Sequence, residues 1–287
     1  MKTLSEVLAD AEKNKVAVGH FNISDLAALN AIFAAAKELN VAVMVGVSEG
    51  EREFVGVHRA AALVQSLREQ YNFPIFLNAD HTHSLDKVRE AALAGYDEIL
   101  FDGSKLSFEE NVRATREAVK IVKSINPNIL VEGEIGYIGS SSEIMKEKPE
   151  GIELTTPEEA AQFVKETAVD ILAPAVGNMH GLLESMVKGD VQKRLDIERI
   201  RQIKDIVKIP LTLHGGSGTA EKDFLAAIKA GITIIHINTE IRIAWRKGVE
   251  EGLAKNPNEI APYKILPSAV LGIKEIVRKR LELFNSK

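Results

Sequence analysis

The chain has 287 residues, 45% of them apolar, and a formal net charge of −5. That length and composition can bury a core large enough for one α/β barrel or two smaller domains. Acidic and basic residues are mixed throughout, so no basic footprint points to nucleic acid, and the absence of cysteine leaves histidine and carboxylates as the only metal ligands.

The N-terminus, Met1 to Val7, lacks the long apolar run of a signal peptide, and no stretch approaches the roughly eighteen apolar residues of a membrane span. A soluble, cytoplasmic chain with no membrane partner is expected. Eight short β-branched or apolar runs then recur: Val16–Asn22, Val41–Val47, Phe73–Ala79, Glu98–Asp102, Ile129–Glu134, Asp170–Val176, Ile209–Leu213 and Ile234–Asn238. Most are continuous runs, as expected for parallel strands buried on both faces. Segments of helical period lie between them: Asp25–Leu39, Leu85–Ala94, Phe108–Ser124, Pro157–Thr167, Ile197–Val207 and Glu221–Ala230. Ser84, Ser107 and Thr156 are N-cap signals, and Gly95 and Gly231 sit where helices should stop. Glu275–Phe284 has the pattern of an amphipathic helix packed on the barrel or on a partner.

Eight strands alternating with helices predict a (β/α)8 TIM barrel over residues 1–287, one domain with a C-terminal helical extension. An open, doubly wound sheet is the second choice. In the barrel, active-site residues lie on loops at the C-terminal ends of the strands.

Three histidines occupy such places, each at or just past the end of a predicted strand: Asp80-His81 at the third, His180-Gly181 after the sixth, and His214-Gly215-Gly216-Ser217-Gly218 at the seventh. Three neutral imidazoles can hold a divalent metal with one position open. Asp80 beside His81 offers a proton carrier. The glycine-rich loop leads toward a helix start and, with Asn238-Thr239 after the eighth strand, suits a phosphate. The combination points to metal-assisted chemistry on a phosphorylated small molecule.

These pieces resemble the class II, metal-dependent ketose-bisphosphate aldolases, in the fructose/tagatose-bisphosphate branch. The resemblance runs from Gly19-His20-Phe21-Asn22 to Asn238-Thr239-Glu240. It includes Val47-Ser48-Glu49-Gly50, Ala79-Asp80-His81, Asp102-Gly103-Ser104, Ser107-Phe108-Glu109-Glu110-Asn111 and Val131-Glu132-Gly133-Glu134-Ile135-Gly136. It implies reversible cleavage of fructose 1,6-bisphosphate to glycerone phosphate and glyceraldehyde 3-phosphate. His81, His180 and His214 would bind Zn2+, with Glu134 a further ligand and Co2+ or Fe2+ as other choices of metal. Asp80 would be the acid/base. Gly181 would join Gly215, Gly216, Ser217, Asn238 and Thr239 on phosphate, Asn22 and Ser48 would contact substrate, and Gly177 would give a carbonyl to a monovalent cation. A homodimer or homotetramer is implied as well.

Four departures bear on the substrate. Leu183-Glu184 stands where the family has Tyr-Lys, which removes a cation unless Lys188 or another base compensates. His236 replaces a substrate-contacting asparagine. Ser142 takes the place of the mobile-loop acid, with Glu143 one residue on as the candidate, and Lys105 replaces a histidine after Asp-Gly-Ser. The tagatose epimer, another ketose or phosphoketose, Schiff-base chemistry at Lys105, and a retired metal-binding barrel remain as alternatives. Arg242 and Arg246 lie where they could reach a second phosphate or face solvent.

Overall fold

In the computed structural model, which describes residues 2–139, 142–147 and 153–286, the strands in chain order are β1 (Val18–Asn22), β2 (Val43–Val47), β3 (Ile75–Thr82), β4 (Glu98–Phe101) and β5 (Leu130–Ile135). They continue as β6 (Ile144–Met145), β7 (Ile171–Pro174), β8 (Leu182–Leu183), β9 (Leu211–Leu213) and β10 (Ile232–Ile237). Eight of these close a parallel barrel in the order β1-β2-β3-β4-β5-β7-β9-β10, and β10 pairs back onto β1. The two-residue strands β6 and β8 pair with each other outside the barrel wall. The fold is the predicted TIM barrel. No helix among the described residues is long and apolar enough to cross a membrane.

Every predicted barrel strand exists, but several begin later than expected, four of them by two residues: at Val18, Val43, Ile75 and Leu211. Val16 and Val41 complete helix ends: Lys15 and Asn40 turn left-handed at φ 55° and 53°, and the next amides donate to Ala11 O at 3.0 Å and Ala36 O at 3.1 Å. That geometry closes a helix with an apolar residue just past its last turn, which imitates a strand start in sequence. The expected caps form, with Ser84, Ser107 and Thr156 side chains accepting from amides three residues on.

The helix Leu4–Asn14 was not anticipated. A Thr3/Glu6 capping box starts it, and its Leu4, Val7, Leu8 and Ala11 pack against Val18, Met44, Phe76, Ile171 and Ile234. It thereby plugs the N-terminal end of the barrel, away from the site. At the other end of the chain, Glu275–Phe284 belongs to a longer helix, Pro267–Phe284. Its buried Ile273, Val277, Leu281 and Phe284 join the main core, each contributing about 1.5–3 kcal/mol on burial. It packs between the helices Leu26–Leu39 and Thr239–Lys255.

The interior is less apolar than continuous hydrophobic strands imply. His20, Asn78, Glu98, Glu132, Thr212 and His236 are all buried. They pair in part with one another: His20 Nε2 meets Asn78 Oδ1 at 2.8 Å, Asn78 Nδ2 donates to Glu98 Oε2 at 2.6 Å, and Thr212 donates to Glu132 Oε2 at 2.5 Å, while His20 Nδ1, Glu98 Oε1 and His236 Nε2 have no partner among the described residues. Because strand side chains alternate, residues two further on share the same face. Asn22, Asp80, Glu134, His214 and Asn238 therefore stand one step above this polar layer, at the rim.

Candidate active site

The C-terminal ends of the strands enclose a cavity of about 320 Å³. Asn22, Ser48, Asp80, His81, His180, Gly181, His214, Gly215, Ser217, His236, Asn238 and Thr239 line it, as the sequence expected. Gly216 sits behind, its amide donating to His236 O at 3.1 Å. Gly177 is also outside the lining; an added Cβ there would lie 2.6 Å from Arg194 O.

His81, Glu134, His180 and His214 each bring one donor atom within 4.8 Å of the others. His81 Nε2, His180 Nε2, His214 Nδ1 and Glu134 Oε2 are buried and have no hydrogen-bond partner among the described residues. Buried polar atoms left unpaired are costly, and four converging on one point are a donor set awaiting a cation. Three imidazoles and a carboxylate suit a divalent transition metal. The opposite ring nitrogens are occupied: His81 Nδ1 contacts Asp102 Oδ2 at 2.8 Å, and His214 Nε2 contacts Glu132 Oε1 at 2.6 Å. Those carboxylates fix which nitrogen faces the cavity. His81 itself is turned inward by a register shift between Ala79 and Thr82, with φ at 42° in the left-handed region. Such a bulge re-aims a side chain at the price of local strain.

The electrostatics also favour a cation. Burial pulls the His81 imidazole down, but Asp80, Asp102 and Glu134 together hold it well above its ordinary value. Burial, and then the nearby Asp102 charge, push Glu134 well above the usual carboxylate range. Burial, reinforced by His81 and His214, holds His180 well below its ordinary value. A protein-only site gathers protons where a bound cation would take their place.

Asp80 has one oxygen held and one free. Oδ2 accepts from Asn22 Nδ2 at 2.8 Å, and Asn22 also donates to Glu51 Oε2 at 2.8 Å. Oδ1 is unpartnered, 3.7 Å from His81 Nε2 and 3.6 Å from His236 Nδ1. Burial pushes Asp80 up, yet His81, His236 and His20 hold it well below the usual range, so it is a carboxylate. Buried Arg52 ties the ends of β2 and β3 together, donating to Val47 O at 2.6 Å, Asp80 O at 3.1 Å and Thr82 Oγ1 at 2.9 Å. His236 stacks on His20 with centroids 3.4 Å apart and planes within 4°.

The anion side is built from two loops and one helix start. Asn238 gives the helix Thr239–Lys255 no side-chain cap, and Glu240 N donates to Ser217 Oγ at 3.4 Å, so the helix start meets the glycine-rich loop at the cavity wall. Gly215 has φ 58°, and a Cβ there would strike Met179 O at 2.3 Å, so at this point the His180 and His214 loops pack backbone against backbone. Behind them lies Lys193, whose Nζ donates to the carbonyls of Met179, Gly181 and Gly215. Burial pushes its amine down to about 7, with Glu240 opposing.

Some expected residues fall outside the cavity. Ser142 lines it, whereas Glu143 is exposed and its carbonyl accepts from Leu182 N at 2.9 Å. Lys105 and Lys188 are exposed and do not line it. Of the two arginines, Arg242 lines the cavity and pairs with Glu51 at 2.9 Å, while Arg246 pairs with Glu250 away from it. Glu51, Arg52, Glu132 and Lys193 were not singled out from sequence as site residues. Glu132 was recoverable, since it lies two residues before Glu134 on one strand and so shares its face. Lys193 carried no local signal.

Comparison with known proteins agrees with this geometry. Residues 2–287 match the family model described as fructose-bisphosphate aldolase class-II. A fructose-bisphosphate aldolase from Geobacillus stearothermophilus is 36% identical over 287 residues, covering 99% of this chain and 96% of the relative. One from Helicobacter pylori is 32% identical, covering 98% of this chain and 97% of the relative. Among solved structures, the YdjI aldolase from Escherichia coli K12 superposes with a TM-score of 0.80 at 26% identity, covering 99% of this chain and 96% of that one. The fructose-bisphosphate aldolase from Campylobacter jejuni, at 22% identity, shares the fold with a TM-score of 0.81 over 98% of this chain and 94% of that one. This chain belongs to the class II fructose-bisphosphate aldolase family.

Proposed function

We propose that the chain reversibly cleaves fructose 1,6-bisphosphate into glycerone phosphate and glyceraldehyde 3-phosphate with the help of a divalent metal, zinc first. One observation carries the reading: four unpartnered donor atoms stand beside the free oxygen of Asp80, on the rim where the glycine-rich loop meets a helix start. His81, His180 and His214, with Glu134 as a further donor, would hold the metal. When bound, it supplies Lewis-acid stabilisation of the negative charge that develops as the C3–C4 bond breaks. Asp80 Oδ1 takes the proton of the C4 hydroxyl, the O–H pair left on oxygen forms the C4=O double bond of the aldehyde, and the C3–C4 pair stays with the three-carbon ketone fragment. Asn22 holds the other Asp80 oxygen so that the free one stays aimed at the substrate. General-base assistance of this kind contributes about 10²–10⁴-fold.

The fragment must regain a proton at C3, and Glu143 is the candidate donor. Its exposed place on the rim requires the segment to swing inward. Gly181, Gly215, Ser217, Asn238 and Thr239 would bind one phosphate, with Gly216 shaping the turn, and Arg242, which lines the cavity, would bind the other. Ser48 and His236 would contact sugar hydroxyls. A homodimer or homotetramer is part of the same reading.

The second reading is the tagatose epimer, because the two sugars differ at C4, the carbon facing Asp80, and His236 stands there with Asp80. The test is to offer both bisphosphates to metal-loaded protein and measure both triose phosphates. Faster cleavage of the fructose epimer supports the first reading, and faster cleavage of the tagatose epimer moves the substrate. Cleavage of neither would mean that the departures have moved the substrate to another ketose or ended catalysis.

A further inference from the structure

Lys193 is 4% exposed, and its side chain runs inward from a one-residue parallel bridge to Thr219. Its Nζ lies 2.7 Å from Met179 O, 2.7 Å from Gly181 O and 2.9 Å from Gly215 O. Three acceptors use all three N–H bonds of an ammonium, whereas a neutral amine has only two to give. The carbonyls come from two separate loops and flank two of the imidazoles, His180 between Met179 and Gly181, and His214 just before Gly215. Gathered without a positive charge, three buried carbonyl oxygens would repel one another. A cage of backbone carbonyls is otherwise the donor set of a dehydrated monovalent cation.

We propose that Lys193 is this chain's tethered monovalent cation: its ammonium locks the Gly181 and Gly215 segments together and brings a positive charge behind the phosphate-binding rim, so that no diffusible potassium or sodium is needed. The proposal rests on the reading that this rim binds phosphate. It makes Lys193 a positioning residue, since it does not line the cavity and touches no substrate. It also accounts for the loss of a lysine at Glu184: no lysine lines the cavity among the described residues, and the charge arrives instead from behind the backbone. The Gly177 carbonyl is not among the three acceptors of Lys193 Nζ.

The experiment is calorimetric titration of inorganic phosphate into the full chain, wild type, Lys193→Ala and Lys193→Met, at one ionic strength. Tetramethylammonium chloride, too large for the cage, is compared with potassium and ammonium chloride. Wild type should bind equally in all three salts. Lys193→Ala should bind at least about tenfold more weakly in tetramethylammonium and recover to within about threefold in potassium or ammonium. Lys193→Met, which fills the space, should lose affinity without recovery. A structural role alone would not produce cation-specific rescue. Potassium strengthening wild-type binding by more than about threefold would overturn the proposal, and this arm needs no variant to fold. Wild-type affinity in Lys193→Ala, or lost affinity with no rescue by either cation, would also overturn it while leaving the phosphate site standing. If wild type binds no phosphate in any salt, the reading of the rim falls with it.

Discussion

Glu132 meets His214 Nε2 at 2.6 Å, and this contact decides which nitrogen His214 offers to the cavity. With the proton on Nε2, Nδ1 keeps its lone pair and joins the donors of His81, His180 and Glu134. Asp102 does the same for His81 from the other side of the ring. Replacing Glu132 by Gln should weaken zinc binding by about 10–100-fold with the barrel intact. Competition against a chromophoric chelator measures this, and unchanged affinity would show that Glu132 does not orient His214.

Asp80 should be separable from the metal donors. Asp80→Asn should lower kcat by about 10²–10⁴-fold while zinc stoichiometry stays at the wild-type level. Rate and metal content measured on one preparation decide it. Loss of zinc together with activity would assign Asp80 to holding an imidazole instead of moving a proton.

The His20–His236 stack depends on Gly46, where an added Cβ would lie 2.1 Å from His20 Cε1 and 2.4 Å from Nε2. The buried ring has nowhere to retreat, so Gly46→Ala should cost about 1–3 kcal/mol through overpacking. Thermal unfolding of the metal-free chain would register it. An unchanged Tm would mean that the stack is loosely held.

Much of the barrel was legible because parallel strands buried on both faces leave apolar runs, and because Ser107, Thr156 and Gly95 mark helix ends chemically. The rim histidines were legible for a related reason, since each follows such a run. Other features depend on contacts across the fold. The inward turn of His81 needs a bulge against β4 that no local residue announces. Lys193 reads as a solvated lysine in a polar segment until three carbonyls from distant loops surround it. The apolar reading of the strands concealed the layer from His20 to Glu132, whose polar side chains are partly paired with one another. Val16 and Val41 show the reverse error, apolar residues that finish helices.

Glu98 makes that interior sensitive to pH. Burial, followed by the charges of Glu132 and Asp80, raises it well above the usual carboxylate range. The folded chain therefore holds a proton that the unfolded chain loses at lower pH, and stability present below the unfolded value fades as pH rises through the folded one. Glu98→Gln should raise Tm relative to wild type near about pH 8, with the difference shrinking toward about pH 5. A constant difference across that range would show that Glu98 is not protonated in the folded state.

Removal and return of the metal, read as cleavage of fructose 1,6-bisphosphate, bears most directly on the assignment of His81, His180, His214 and Asp80 to one reaction. Protein stripped with EDTA should release no triose phosphate, and about one zinc per chain should restore the rate. Full cleavage by stripped protein, or none by protein carrying that zinc, would contradict it.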